Sequence, residues 1–170
     1  GGRMDYCPNQ QGVTGFCRDI LPALRARRPG VRFAIVGADP PESIRALARE
    51  PGVTVTGSVP DVRPHVRRAA LTVAPLAIAR GTQNKILESM AMGVPVVCSL
   101  EASGGVDAVA GEHLLVASNP SRGIDAVEGI LGDRAIRQRL SAAGRDRVLS
   151  HHSWVASMTR LDGIMEKAGR

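Results

Sequence analysis

Arg80 and Lys85 bracket the start of a helix in the stretch RGTQNKILESMAMGVPVVCS, residues 80–99. Thr82 is placed to cap that helix, Gln83, Asn84 and Lys85 form its first turn, and Gly93 stops it before Val94 and Pro95. The unpaired amides of the first turn then point back toward Gly81. A cation at this end works against the helix dipole, at a cost of about 0.3–1 kcal/mol. Two cations there make sense when an anion completes the site. The amides, Lys85 and Arg80 would converge on a phosphate, and Gly81 would let it come close to the backbone. The competing explanation is a bridge from Lys85 to Glu88 one turn later, but lysine ahead of glutamate is the weaker order for such a pair. Glu88 lies on the same face, and a carboxylate can accept two hydroxyl hydrogen bonds of the kind a ribose offers. Phosphate at the helix start and ribose one turn on make a nucleotide site.

The elements that must position these residues alternate along the chain. Val13, Phe16, Cys17, Ile20, Leu21 and Leu24 have the spacing of one helical face, bent at Pro22. VRFAIVG at 31–37 is a β-branched run of the sort buried in a parallel sheet, and a short helix over 42–49 follows it. VTVTG at 53–57 predicts a strand, 61–70 a helix, LTVAPL at 71–76 a strand and 83–92 a helix. PVVCSL and HLLVAS, the latter at 113–118, are further strands, and helices are expected near 121–131, 133–149 and 153–167. The last carries Trp154, Met158, Leu161 and Met165 on one stripe, a core or domain contact. This alternation predicts an α/β fold: one Rossmann-like parallel β-sheet with helices on both faces and ligands at the strands' C-terminal edge. A single domain over 1–170 is expected, with the helices from about 133 to 167 packing on it or toward a missing domain. The opening GGRMDYCPN reads as the end of a strand that begins upstream, so the chain is expected to be a fragment with a truncated first strand.

Composition narrows the function classes. A net charge of +6 favours an acidic partner, while 2% aromatic residues argue against base-stacking platforms and hence against nucleic acid. Arg63, Arg67 and Arg68 read first as solvated surface, with contact to an anionic membrane as the alternative. The longest apolar run, 69–79, falls short of the ~20 residues a membrane span requires. Cys7, Cys17 and Cys98 have no metal-ligand spacing and leave one thiol over, which fits a reducing cytoplasm, and no metal or cofactor is expected. VGADPPE has one glycine where a dinucleotide fingerprint has three, and GxxxxGK[ST], SxxK and GxSxG do not occur. His151 and His152 have no third ligand at metal spacing. His65 and His113 read as structural, and Cys98 as a buried small residue.

GRMDYCPN at 2–9, FAIVG at 33–37, VTVTGSVPDVRPHV at 53–66, LTVAPLAIARGTQNKILESMAMGVPVVCS at 71–99 and GEHLLVA at 111–117 together resemble the C-terminal, donor-nucleotide-binding half of GT-B glycosyltransferases, in particular the retaining enzymes of glycosyltransferase family 4. More narrowly, MDYCPN with IARGTQNKILESMAMG is similar to the sugar transferases associated with exosortase A and PEP-CTERM systems in bacterial exopolysaccharide loci. The resemblance implies that Glu88 is the second glutamate of the E-x7-E motif and binds the donor ribose. It implies that amides over Thr82, Gln83 and Asn84 bind the diphosphate and that backbone near Val59 lies against the base. Arg3 matches the arginine of the family's basic pair, whereas Asn9 stands where lysine is common, leaving Lys85 as the replacement cation. Arg80 occupies the position of the first glutamate, a departure that puts that carboxylate's role in doubt.

The implied activity is transfer of a hexosyl group from a UDP- or GDP-sugar to a glycan or lipid-linked acceptor, in the cytoplasm or at the inner membrane. The acceptor and any base would come from an absent N-terminal domain. Lys85, Glu88 and Arg80 are the expected catalytic residues. Two rivals remain open: a nucleotide-sugar epimerase of the same architecture, and a non-catalytic nucleotide-binding module, for which Arg80 is the best argument.

Overall fold

The computed structural model describes residues 7–37, 39–74 and 83–151. Its strands are β1 (Phe33–Ile35), β2 (Val53–Val55), β3 (Thr72–Ala74), β4 (Val96–Ser99) and β5 (Leu115–Ala117). Its helices are α1 (Cys7–Asp19), α2 (Leu21–Arg27), α3 (Glu42–Arg45, continued by a 3-10 turn over Ala46–Arg49), α4 (Arg63–Arg68), α5 (Gln83–Ala91), α6 (Leu100–Ser103), α7 (Pro120–Gly132) and α8 (Arg134–His151). The strands are all parallel, and helices flank them, as an α/β fold requires.

Among the described residues the five strands pair in two groups. β1 pairs with β2, placing Phe33 opposite Val53 and Ile35 opposite Val55. β3, β4 and β5 form the other sheet, with Val73 opposite Val97 and Cys98 opposite Val116. Parallel strands pair only when about 4.8 Å apart, and a cavity of about 660 Å³ is bounded by β1 on one side and β3 on the other.

Val96, Val97 and Cys98 of β4 are all buried, and their side chains alternate between two faces as the pleat demands. Val97 joins a cluster with Phe16, Leu24 and Val127 of α1, α2 and α7. Val96 and Cys98 turn to the other side, toward Ile86 and Met90 of α5 and Val148 of α8. The rings of Phe16 and Phe33 lie 4.6 Å apart between centroids, tying α1 to β1.

Element boundaries differ from expectation for local reasons. The first helix starts at Cys7 and separates into α1 and α2 at Ile20, because Pro22 in the first turn of α2 has no N–H to continue the ladder. Within 61–70, the helix is confined to Arg63–Arg68, since the Asp61 carboxylate accepts from the Arg63 N–H at 3.0 Å. The unforeseen α6 forms where the Ser99 hydroxyl accepts from the Ala102 N–H at 3.1 Å. Asn119 caps α7 in the same way, accepting from Arg122 N–H at 2.9 Å. The strand expected over 71–76 is described only as far as Ala74, and the helix expected over 153–167 lies outside the described residues.

Two glycines are required by geometry where α5 meets α8. Gly93 ends α5 at φ +73°, and its carbonyl accepts from the Ser141 hydroxyl of α8 at 2.6 Å. A Cβ on Gly144 would lie 2.8 Å from the His113 carbonyl oxygen and 3.5 Å from the Met90 methyl. Gly144→Ala is therefore expected to lower stability by about 1–3 kcal/mol in urea unfolding through overpacking. Gly129→Ala on α7, where a Cβ meets open space, should be neutral or stabilising by up to about 1 kcal/mol through helix propensity.

Candidate functional site at the start of helix α5

α5 follows β3, so its first turn stands at the C-terminal edge of a parallel sheet, where open α/β folds gather ligands. Its orientation is set by Ile86, Leu87, Met90 and Ala91, all at most 3% exposed. With those four turned inward, Lys85 and Glu88 fall together on another face, both half-buried, and Asn84 is exposed. No acidic residue occupies the first turn. Lys85 and Ile86 border the 660 Å³ cavity, where the other ionisable lining groups among the described residues are Arg32, His65 and Arg68.

Of the 22 lysines and arginines, only Lys85 and Lys167 are lysines. A chain that meets nearly all its basic requirements with arginine places a compact, strongly hydrated ammonium at this helix start, the form of charge that a phosphate accepts as a point partner.

Val59 is half-buried in the 56–62 loop that leaves the C-terminal end of β2. The loop is held by Thr56 N–H donating to Ile35 O at 3.0 Å and turns at Gly57, φ +69°. Val59 and Lys85 thus both follow strand C-termini, in different sheets. Arg3, Arg80, Gly81, Thr82 and the Gln83 side chain lie outside the described residues.

Sequence reasoning missed a second cavity, of about 260 Å³, beside the C-terminal ends of β4 and β5. Ser99, Glu101, Ser118 and Asn119 line it opposite Gln11 and Gly12 of α1. The available signal was the serine at the end of each apolar run, Ser99 closing β4 and Ser118 following β5. Ser99 and Asn119 already use side-chain oxygens as helix caps there.

His113 has the structural role expected of it: it is 8% exposed, and its Nδ1 accepts from the Val109 N–H at 2.9 Å. Arg63 forms an ion pair with Asp61 at 2.9 Å, and hydrogen bonds from the Arg63 side chain and then its backbone N–H hold the Asp61 carboxyl below the usual range. Among the described residues no group of three or more His, Cys, Asp or Glu is arranged to hold a metal ion, and no helix is long and apolar enough to cross a membrane.

This fold, parallel strands flanked by helices, matches the C-terminal domains of GT-B glycosyltransferases. Residues 1–133 match the family model described as glycosyl transferases group 1, and the chain belongs to that family. Among solved structures, the C-terminal domain of the Francisella tularensis group 1 glycosyl transferase LpcC superposes with a TM-score of 0.70 at 14% identity, covering 89% of this chain and 83% of that one. Sucrose-phosphate synthase from Thermosynechococcus elongatus gives 0.71 at 22% identity, covering 98% of this chain and 44% of that one. Anabaena HepE in complex with UDP gives 0.62 at 17% identity, covering 94% and 48%. The chain thus spans less than half the length of the latter two proteins. No curated protein sequence matches it.

Cys17 and Cys98 belong to the core and not to the site. Cys98 is 1% exposed and burial pushes its pKa up to about 12. Cys17, at 7%, is pushed to about 11 by burial and then by the nearby Glu50 charge. Both are predicted to resist iodoacetamide at pH 8 in the native protein and to react once unfolded, as peptide mapping after pulse labelling would show. The sign of the linkage follows: the unfolded thiols ionise first, near 9.0, so their contribution to stability is complete below that pH and is lost as pH rises through the native values.

Proposed function

We infer that this chain is the donor-binding half of a glycosyltransferase that moves a hexosyl group from a UDP- or GDP-sugar. The reading rests above all on α5, whose first turn at the strands' C-terminal edge carries Lys85 and no acid, with Glu88 one turn along. Family membership over residues 1–133 supports it, as does the fold shared with a protein solved with UDP and UDP-glucose. The diphosphate would sit on amides of Thr82, Gln83 and Asn84, with Lys85, Arg80 and Arg3 as its cations and Gly81 giving close approach. Glu88 would accept from the ribose hydroxyls, and backbone at Val59 would meet the base.

In the transfer, the bond between the anomeric carbon and the β-phosphate oxygen breaks and leaves its electron pair on the nucleoside diphosphate. The acceptor hydroxyl oxygen bonds to that carbon, and its proton passes to a base that the N-terminal half of the enzyme would supply. Amides and Lys85 already aimed at the phosphates stabilise the charge as it develops, without reorganisation, so no divalent metal is needed for this step. The sugar passes through an oxocarbenium-like state. Retention at the anomeric carbon, a glycan or lipid-linked acceptor in exopolysaccharide assembly, and a cytoplasmic setting at the inner membrane complete the proposal. They follow from the resemblance to family 4 and to the exosortase-associated transferases.

Isothermal calorimetry with UDP and GDP tests the site on this chain. One of the two nucleotides should bind, and Lys85→Ala and Glu88→Ala should each weaken it about tenfold, the value of one charge-assisted hydrogen bond. Absence of binding, or unchanged affinity in both variants, would overturn the assignment. Added EDTA should leave the affinity unchanged.

A further inference from the structure

The side of the molecule on which β1 and β2 begin is rich in arginine, and contacts fix which residues stand there. Arg25 donates to the Pro51 carbonyl at 2.8 Å, just ahead of β2, and lies 3.6 Å from Glu50. Val31, just ahead of β1, donates its N–H to the Arg28 carbonyl at 3.0 Å, and the Arg28 side chain pairs with Glu128 of α7 at 3.2 Å. A Cβ on Gly132 would lie 2.7 Å from the Arg28 guanidinium, which brings the end of α7 and the start of α8 to the same place. Arg32 follows Val31 and lines a common cavity with Arg68, the last residue of α4 before β3.

The carboxylates on this side are already engaged. Glu50 and Glu128 pair with Arg25 and Arg28, and the Asp133 carboxylate caps α8, accepting from the Ala135 N–H at 2.9 Å. Arg137 donates to the Ile130 carbonyl. Arg27, Arg32, Arg49, Arg68 and Arg134 are exposed, with no carboxylate partner among the described residues. Elsewhere arginines are matched by acids: Arg18 by Asp19, Arg45 by Glu42, Arg63 by Asp61 and Arg147 by Asp107. The helix dipole accounts for part of the exposed group, since Arg27, Arg49 and Arg68 close α2, the 3-10 turn and α4, where a cation is favoured. It does not account for Arg32, which is in no helix, or for Arg134, which opens α8 at the end where a cation is disfavoured. Like charges gathered in this way repel one another, and an anionic partner relieves the repulsion.

We propose that this side of the chain docks on an anionic phospholipid bilayer through Arg27, Arg32, Arg49, Arg68 and Arg134. The five come from the ends of separate segments, α2, the lead into β1, the 3-10 turn, α4 and α8, and not from one helix that could enter a nucleic-acid groove. Cations spread in that way match a surface that carries phosphates throughout. The residues exposed beside them in the chain include Pro29, Gly30, Ala69 and Ala70, which offer no ring to stack on a base and no large apolar side chain to bury among acyl chains. The contact is therefore electrostatic and rests on the headgroups. α5 begins at the opposite end of β3 from Arg68, so a chain docked in this way keeps the start of α5 turned to solvent. The inference is separate from the nucleotide site, and calorimetry at α5 can succeed or fail without touching it.

The test is co-sedimentation of the chain with vesicles of equal parts phosphatidylglycerol and phosphatidylcholine, beside vesicles of phosphatidylcholine alone. The chain should bind the first and not the second, and binding should fall as added salt screens the charges. A basic residue at an anionic surface contributes about fivefold to partitioning, so Arg32→Gln combined with Arg68→Gln should weaken binding about 25-fold. Arg122→Gln combined with Arg145→Gln removes the same charge from exposed positions elsewhere on α7 and α8, and should change binding by less than about twofold, because the attraction fades within a Debye length. All four positions are exposed, so both variants should keep the parent Tm. If the first pair lowers it, Arg27→Gln combined with Arg134→Gln takes its place, with the same loss expected. Equal binding to neutral vesicles, no binding to anionic ones, or equal losses in the two kinds of variant each overturn the proposal. A duplex oligonucleotide that binds at concentrations where the anionic vesicles do not, and is released by the same arginine pair, assigns the surface to nucleic acid and overturns it too.

Discussion

Ile86, Leu87, Met90 and Ala91 recur along α5 on one arc, and their burial against β4 and α8 fixes how the helix is turned about its axis. Each large apolar side chain contributes about 1.5–3 kcal/mol on burial, against about 0.3–1 kcal/mol for a cation placed badly on the helix dipole. Packing therefore decides where Lys85 stands, and the dipole penalty is carried along. The far end is pinned as well, by the Gly93 turn and the Ser141 hydroxyl on the Gly93 carbonyl. A helix fixed in rotation and at its C-terminus presents its first-turn amides in a set direction, which is what a preorganised anion site requires.

The sheet sets where that helix begins. Parallel strands of one sheet all finish at one edge, so the connections after β3, β4 and β5 collect there, and Lys85, Ser99 and Ser118 stand at that edge despite wide separation in sequence.

Much of this was legible in the sequence because it is local or periodic. The Gln83-to-Ala91 helix, its glycine stop and the order of strands and helices follow from spacing and from glycine and proline. The break at Ile20 was read as a bend, since periodicity continues across Pro22 and only the lost N–H separates the helices. Which strands pair was not legible, because pairing between strands depends on neighbours distant in sequence. α6 escaped notice because four residues are too few for a period, and only the Ser99 cap marks it. The grouping of Lys85 and Glu88 on one face was legible from their spacing. Their half-burial was not, since it depends on what packs beside α5.

The charge of +6 illustrates how composition and structure speak to different questions. Several arginines donate to backbone carbonyls: Arg25 to Pro51 at 2.8 Å, Arg139 to Gly111 at 3.0 Å and Arg147 to Asp107 at 3.0 Å. Arg137 donates to the Ile130 carbonyl at 2.9 Å, at the C-terminal end of α7, where carbonyls lack partners and the dipole favours a cation. A weakly hydrated guanidinium with a fork of donors suits that task. Such arginines account for charge without a partner molecule, because the fold itself uses them. Arg137 at a helix C-terminus and Lys85 at a helix N-terminus are opposite cases of one electrostatic rule. The first satisfies the rule within the chain. The second breaks it, and that local contrast supports an anionic ligand at α5 more directly than the total charge does.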